Sequence, residues 1–331
     1  MNKYDAIYYE PAVLNYPLGK YLKEKYNHLP WFEIKTHNRI EEFTKSSNCN
    51  FSKLKQHLIL GVRKTHRYTP NEKVSNYLVP FTSSGCRAMC LYCYLVCNYN
   101  KCSYLRVFVN REEMLERLIA KDLKDEGKST YEIGSNSDLV LENEVTNNLT
   151  WIIENFVEKA KGKLTFPTKF HMIEPLLTLN HQGRIIFRMS VNPEEIIKKT
   201  EFGTSSLKKR IEALNKMAEA NYPVGLLIAP VIMIDGWQKL YCELIDYLQA
   251  NLSNKVKSNG FIEIILMTYT YIHHAINSDA FPNAVDLLDK GLMKSTGYGR
   301  YGYTQENRAK AEALLVKEIN EKLDMPIIYI S

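Results

Sequence analysis

Five of the chain's seven cysteines stand within the twenty residues SSGCRAMCLYCYLVCNYNKC, 83–102. Three of them, Cys86, Cys90 and Cys93, are spaced C-x3-C-x2-C with Tyr92 just before the last, and Cys97 and Cys102 follow at once. A secreted disulfide framework spreads its cysteines and pairs them, so an odd number crowded into one loop fits reduced thiols holding a metal better. Structural zinc wants four donors, and Cys97 or Cys102 would then be the fourth. An iron–sulfur cluster takes thiolates as its standard ligands, usually four of them; if the protein supplies only three, one iron is left open for another molecule.

Such a loop must be held by elements that can be read from hydropathy. Short apolar runs recur at 76–82, 130–135, 163–170, 184–191, 224–233 and 261–269, and each reads as a strand. Amphipathic segments near 111–125, 142–161, 205–219 and 237–250 lie among them; in the last, Leu240, Leu244, Ile245, Tyr247 and Leu248 have helical spacing. Strands alternating with helices predict an α/β fold, a partial (β/α)6 TIM-type barrel, in which chemistry gathers at the C-terminal strand ends. The cysteine loop follows the first strand, and SNSD (135–138), Lys169 and SVN (190–192) lie at or near the ends of others. Residues 1–75 read as an N-terminal extension, 76–270 as the barrel, and 271–331 as a C-terminal hairpin, helix and strand.

Composition sets few limits. The 331 residues can bury a large core, and 45% hydrophobic with 24% charged residues is ordinary for a globular protein. No apolar run reaches the roughly 18 residues of a membrane helix. The N-terminus lacks a basic segment followed by an apolar one, so a cytoplasmic protein without membrane attachment is expected. A net charge of +6 permits an anionic partner such as nucleic acid without requiring one.

The C-x3-C-x2-C loop after a first strand resembles the motif of radical S-adenosylmethionine enzymes. Beyond it, YYEPAVLNYPLGKYL (8–22), LILGVRKT (58–65), GCRAMCLYCYL (85–95), YLRVFVN (104–110), TKFH (168–171), FRMSVNPEEII (187–197), EFGTSSLKKRIEA (201–213), NYPVGLLIAP (221–230) and YGRYGY (298–303) resemble, in order, the spore photoproduct lyase family, as a divergent, Clostridium-like member. The resemblance implies a [4Fe–4S] cluster on Cys86, Cys90 and Cys93, and S-adenosylmethionine near Ser137, Lys169, Ser190, Asn192 and Ala229. It implies hydrogen relay by Tyr92 and Tyr94, and DNA contact by Arg300 and Tyr301. The activity implied is reversal of the thymine lesion 5-thyminyl-5,6-dihydrothymine through a 5′-deoxyadenosyl radical, in UV-damaged DNA of the spore core, with an electron donor such as ferredoxin or flavodoxin. The alternatives are a relative acting on another substrate, or a zinc-stabilised nucleic-acid-binding module.

Two stretches depart from the family pattern. Bacillus-type members carry a hydrogen-donating cysteine where this chain has Ser135, and an O–H bond is too strong to replace S–H in that task. Cys97, or less favourably Cys102, is the expected substitute. In TYTYIHHAINSDAFP (268–282) the family is rich in Arg and Lys, whereas His273 and His274 stand here, and each lost cation removes a phosphate contact.

Overall fold

A computed structural model describes residues 4–79, 81–97 and 102–331, the side chain of Cys97 excepted. The chain divides into two compact units. The first holds residues 1–88, 95–166 and 179–184; the second holds 89–94, 167–178 and 185–331. No helix among the described residues is long and apolar enough to cross a membrane.

In the first unit, strands Trp31–Glu33, Ala6–Tyr9, His57–Gly61 and Arg106–Phe108 run parallel in that order, and Ser83–Ser84 pairs antiparallel on the last. Parallel strands are covered on both faces, which is why LILG reads as a continuous apolar run rather than an alternation. Ile7, Leu58, Leu60 and Val107 are all at 0% exposure. Helix Pro17–Lys25 starts on a proline whose fixed φ suits the first turn, and its buried Leu18 and Leu22, one turn apart, join the same core. Each such side chain contributes on the order of 1.5–3 kcal/mol by leaving water. The same unit holds Tyr77–Leu78, Thr130–Glu132 and the first residues of Lys163–Thr168, paired in parallel.

The segment expected as one helix over 142–161 is two, Leu139–Thr146 and Asn148–Lys159. Asn147 between them is left-handed, at φ 58°, a conformation that Asn tolerates better than most residues. Glu142 is buried at this joint and accepts from Thr146 Oγ1 at 2.5 Å, Asn148 Nδ2 at 2.8 Å and Thr82 Oγ1 at 3.4 Å.

In the second unit, Ile185–Val191, Val224–Val231, Phe261–Leu266 and Ile327–Ile330 lie side by side, parallel, in that order. Helices Leu207–Glu219, Trp237–Asn251 and Gln305–Lys322 alternate with them along the chain. All six strands expected from hydropathy therefore form, shortened at their ends. Thr268–Thr270, which continues the last of those apolar runs, instead joins an antiparallel sheet with Arg300–Tyr303 and Met293–Gly297.

Burial pushes the Glu142 carboxyl from 4.5 up to about 7, with the three hydrogen bonds pulling part of the way back. The folded chain holds this proton more tightly than the unfolded one. Its contribution to stability is therefore complete below about pH 4.5 and is lost as pH rises through about 7, a span on the order of 3 kcal/mol. Glu142→Gln should flatten the fall in denaturation free energy between about pH 5 and 8; a slope identical to that of the natural chain would contradict this origin.

Candidate active site

In the first unit, the approach to Cys86 is fixed by Gly85. Its φ is +74°, and a Cβ added there would lie 2.1 Å from the Tyr104 carbonyl oxygen, so only glycine fits. Gly85 N–H donates to Asn136 O at 2.7 Å, and its carbonyl accepts from Ser137 Oγ at 2.7 Å. Ser137, expected to lie near a cofactor, thus braces the residue before the first cysteine. Cys86 N–H donates to Ser103 O at 3.0 Å. Behind both sits Lys55, buried, whose ammonium donates to Cys86 O at 2.9 Å and to Ser103 O and Oγ at 2.8 Å each. One donor of this buried cation fixes the Cys86 carbonyl and the other two hold Ser103, the residue that accepts the Cys86 N–H. Cys102 is buried with its Sγ 3.7 Å from Phe51 O, so packing explains it, and it is a poor candidate for hydrogen return. Ser135 is partly exposed, in the turn three residues after the strand Thr130–Glu132.

In the second unit, Met89–Cys90 pairs antiparallel with Glu201–Phe202, Cys90 opposite Glu201. Leu91 N–H donates to Thr200 O at 2.9 Å and Cys93 N–H to Cys90 O at 3.1 Å. The Tyr92 hydroxyl donates to Glu201 Oε1. Glu201 is 2% exposed, and its other oxygen meets Arg210, 0% exposed, at 2.5 Å. Arg210 also donates to Ser205 O at 2.8 Å, Ser190 O at 3.0 Å and Thr204 Oγ1 at 2.7 Å. Asn192 Nδ2 donates to Glu201 Oε1 at 3.1 Å, and its Oδ1 accepts from the buried Tyr241 hydroxyl at 2.9 Å. Ser190 Oγ donates to Ala229 O at 2.8 Å. Burial alone would raise Glu201, but Arg210, then Lys169 and Tyr92, hold it below the usual carboxylate range. Burial and the adjacent Glu201 charge push the Tyr92 phenol well up. The Lys169 ammonium lies 5.7 Å from the centre of the Tyr92 ring. Tyr94, in the turn Tyr94–Cys97, is 53% exposed. The side chain of Cys97, the expected hydrogen donor, lies outside the described residues.

In the stretch 268–282, the structure gives the two histidines that stand in place of the family's cations different surroundings. Helix Tyr271–Ala280 begins on a capping box in which Thr270 and His273 bond reciprocally. His273 is 2% exposed and stacks on Tyr269 at 5.0 Å. Burial lowers its pKa, a hydrogen bond with the Cys93 backbone offsetting this in part. One turn later Asn277 Nδ2 donates to Leu91 O at 2.7 Å. His273 therefore occupies a core cap position beside the cysteine segment. His274 faces Asp286 at 3.1 Å.

Arg300 opens the strand that follows a two-residue turn in which Tyr298 and Gly299 have φ of 51° and 70°. Both are left-handed, the conformation that lets a two-residue turn match strand twist. Gly297 is also left-handed, whereas Gly302 lies within the strand. Tyr298 at the tip and Arg300 are exposed and Tyr301 is half-buried, which leaves an aromatic and a cation available to a partner.

Cys86, Cys90 and Cys93 are partly exposed thiols. Among the described residues, no group of three or more His, Cys, Asp or Glu is gathered to hold a single metal ion. A cluster asks for something different, since each thiolate holds its own iron. The donor set, three partly exposed cysteines at C-x3-C-x2-C spacing, fits that demand in its chemistry. Sequence reasoning missed Glu201, Arg210, Tyr241 and Lys55. The available signal was Arg210, which shares a buried helix face with Leu207, Ile211, Leu214 and Met217 and therefore requires a buried anion.

A family model described as spore photoproduct lyase matches residues 3–329. The spore photoproduct lyase of Bacillus subtilis (strain 168) is 33% identical over 321 residues, covering 95% of this chain and 93% of that protein. The one of Clostridium acetobutylicum is 27% identical over 332 residues, covering 96% of each. A solved spore photoproduct lyase mutant with bound AdoMet and dinucleoside spore photoproduct matches at TM-score 0.90 and 28% identity, over 99% of this chain and 98% of that one. Another, complexed with dinucleoside spore photoproduct, matches equally, at TM-score 0.90. The fold is accordingly the expected α/β partial barrel.

Gly85→Ala should destabilise the chain by about 1–3 kcal/mol, because it adds both left-handed strain and a clash with Tyr104. Chemical denaturation measures this; unchanged stability would show that the turn before Cys86 is not constrained as described.

Proposed function

This chain belongs to the spore photoproduct lyase family, and from that premise we propose that it is a radical S-adenosylmethionine lyase reverting 5-thyminyl-5,6-dihydrothymine in UV-damaged DNA to two thymines. The observation that carries the reading is the full-length likeness, at TM-score 0.90, to a lyase holding AdoMet and the dinucleoside lesion. Cys86, Cys90 and Cys93 would hold a [4Fe–4S] cluster. Bound there, it supplies the one-electron reduction of S-adenosylmethionine that such lyases require.

The chain's own residues supply position and hydrogen. Lys169, beside Tyr92, offers a charge-assisted hydrogen bond to the cofactor's carboxylate. Ser137, Ser190 and Ala229 line the cofactor by analogy with the family; Asn192, with both side-chain ends engaged inside the protein, acts by holding Glu201. Tyr92 and Tyr94 relay hydrogen. Ser135 cannot donate a hydrogen atom, and Cys97, in the turn that begins at Tyr94, takes that task. Arg300 and Tyr301 contact the damaged strand, whose lesion must leave the base stack to be reached. A ferredoxin- or flavodoxin-type protein provides the electron, and the reaction belongs to the spore core.

The test is anaerobic reconstitution followed by repair of the isolated dinucleoside lesion, with thymidine release as readout. Cleavage of S-adenosylmethionine without thymidine would move the chain to another substrate. Cys97→Ala should still cleave S-adenosylmethionine but yield adducts in place of clean thymidine; clean product would remove Cys97 from the mechanism. Arg300→Ala should weaken duplex binding and its salt dependence while leaving dinucleoside repair intact, and equal loss on both substrates would place Arg300 in the chemistry instead.

A further inference from the structure

We propose that Glu201 is a positioning residue for the Tyr92 phenol and, through it, for the segment bearing Cys90 and Cys93. The segment is gripped twice from one place. The backbone of Glu201 pairs with Cys90, and Thr200 O receives Leu91 N–H at 2.9 Å. The side chain of Glu201 accepts the Tyr92 hydroxyl.

The acceptor itself cannot turn. Its two oxygens are taken by Tyr92 and Asn192 on one side and by Arg210 on the other. Arg210 is tied in turn to Ser205, Ser190 and Thr204, and Asn192 to Tyr241. These anchors come from the strand Ile185–Val191, the loop before helix Leu207–Glu219, and helix Trp237–Asn251. A ring held by an acceptor so over-determined keeps one orientation, which is what a group that must pass hydrogen along a fixed path needs. Tyr94, at 53% exposure, has no comparable burial. The relay role of Tyr92 rests on the proposed function; the grip on the segment does not.

The test therefore has two arms. Glu201→Leu/Arg210→Met removes the grip without leaving a buried charge unpaired. In the chain without its cluster, amide hydrogen exchange over residues 89–94 should accelerate about tenfold in this variant and in Tyr92→Phe, with less than about twofold more when they are combined. In the reconstituted enzyme, S-adenosylmethionine consumed per lesion repaired should rise about tenfold in either and again not multiply. Unchanged exchange, or effects that multiply, would mean that Glu201 serves only the fold and would overturn the inference. If the paired variant does not fold, Glu201→Gln/Arg210→Gln, which keeps an acceptor for Tyr92 and leaves no charge unpaired, should show the same non-additivity at about threefold. A natural chain that repairs no lesion would sink the proposed function while leaving the exchange arm readable.

Discussion

A carboxylate and a guanidinium buried together, Glu201 and Arg210, set the terms for everything around the second and third motif cysteines. Neither charge could be buried without the other, and even paired they need their remaining donors and acceptors satisfied. Meeting that need recruits Ser190, Asn192, Thr204, Ser205 and Tyr241 from separate elements. Glu201 Oε1, which Asn192 already engages, also receives Tyr92. A buried ion pair adds little to net stability, but it specifies a geometry, and here the geometry is that of Tyr92, between the second and third motif cysteines.

The remaining support follows the same rule: backbone groups of the cysteine loop are held by side chains of the chain itself. Lys55 and Ser137 secure the backbone at Gly85 and Cys86. Asn277 and the His273 cap secure Leu91 and Cys93 from one helix face. His273, buried and stacked on Tyr269, serves as internal scaffolding. The aromatic tip at Tyr298, with Arg300 beside it, keeps an exposed surface suited to a nucleic-acid partner.

Much of this was legible in the sequence. Continuous apolar runs disclosed the parallel strands, because burial on both faces leaves no alternation to read, and the cysteine spacing disclosed the resemblance that named the family. What stayed hidden depends on where a side chain points. Asn147 breaks a segment whose hydropathy is seamless. Cys102 looks like a spare thiol until its burial against Phe51 is seen. His273 and His274 are adjacent in sequence, yet one is a buried cap and the other faces Asp286 at the surface. Glu201 and Arg210 lie in a stretch whose family likeness was plain, but only their mutual burial distinguishes them from solvated charges.

The central claim is that three thiolates hold a cluster with one iron left open for S-adenosylmethionine. The electron paramagnetic resonance spectrum of the reduced, reconstituted protein, recorded before and after adding S-adenosylmethionine, tests it most directly. Three-thiolate ligation predicts a cluster signal whose g-values shift on addition, because the cofactor binds the open iron. A spectrum unchanged by saturating S-adenosylmethionine would mean that a fourth protein ligand closes the cluster, and would contradict the account.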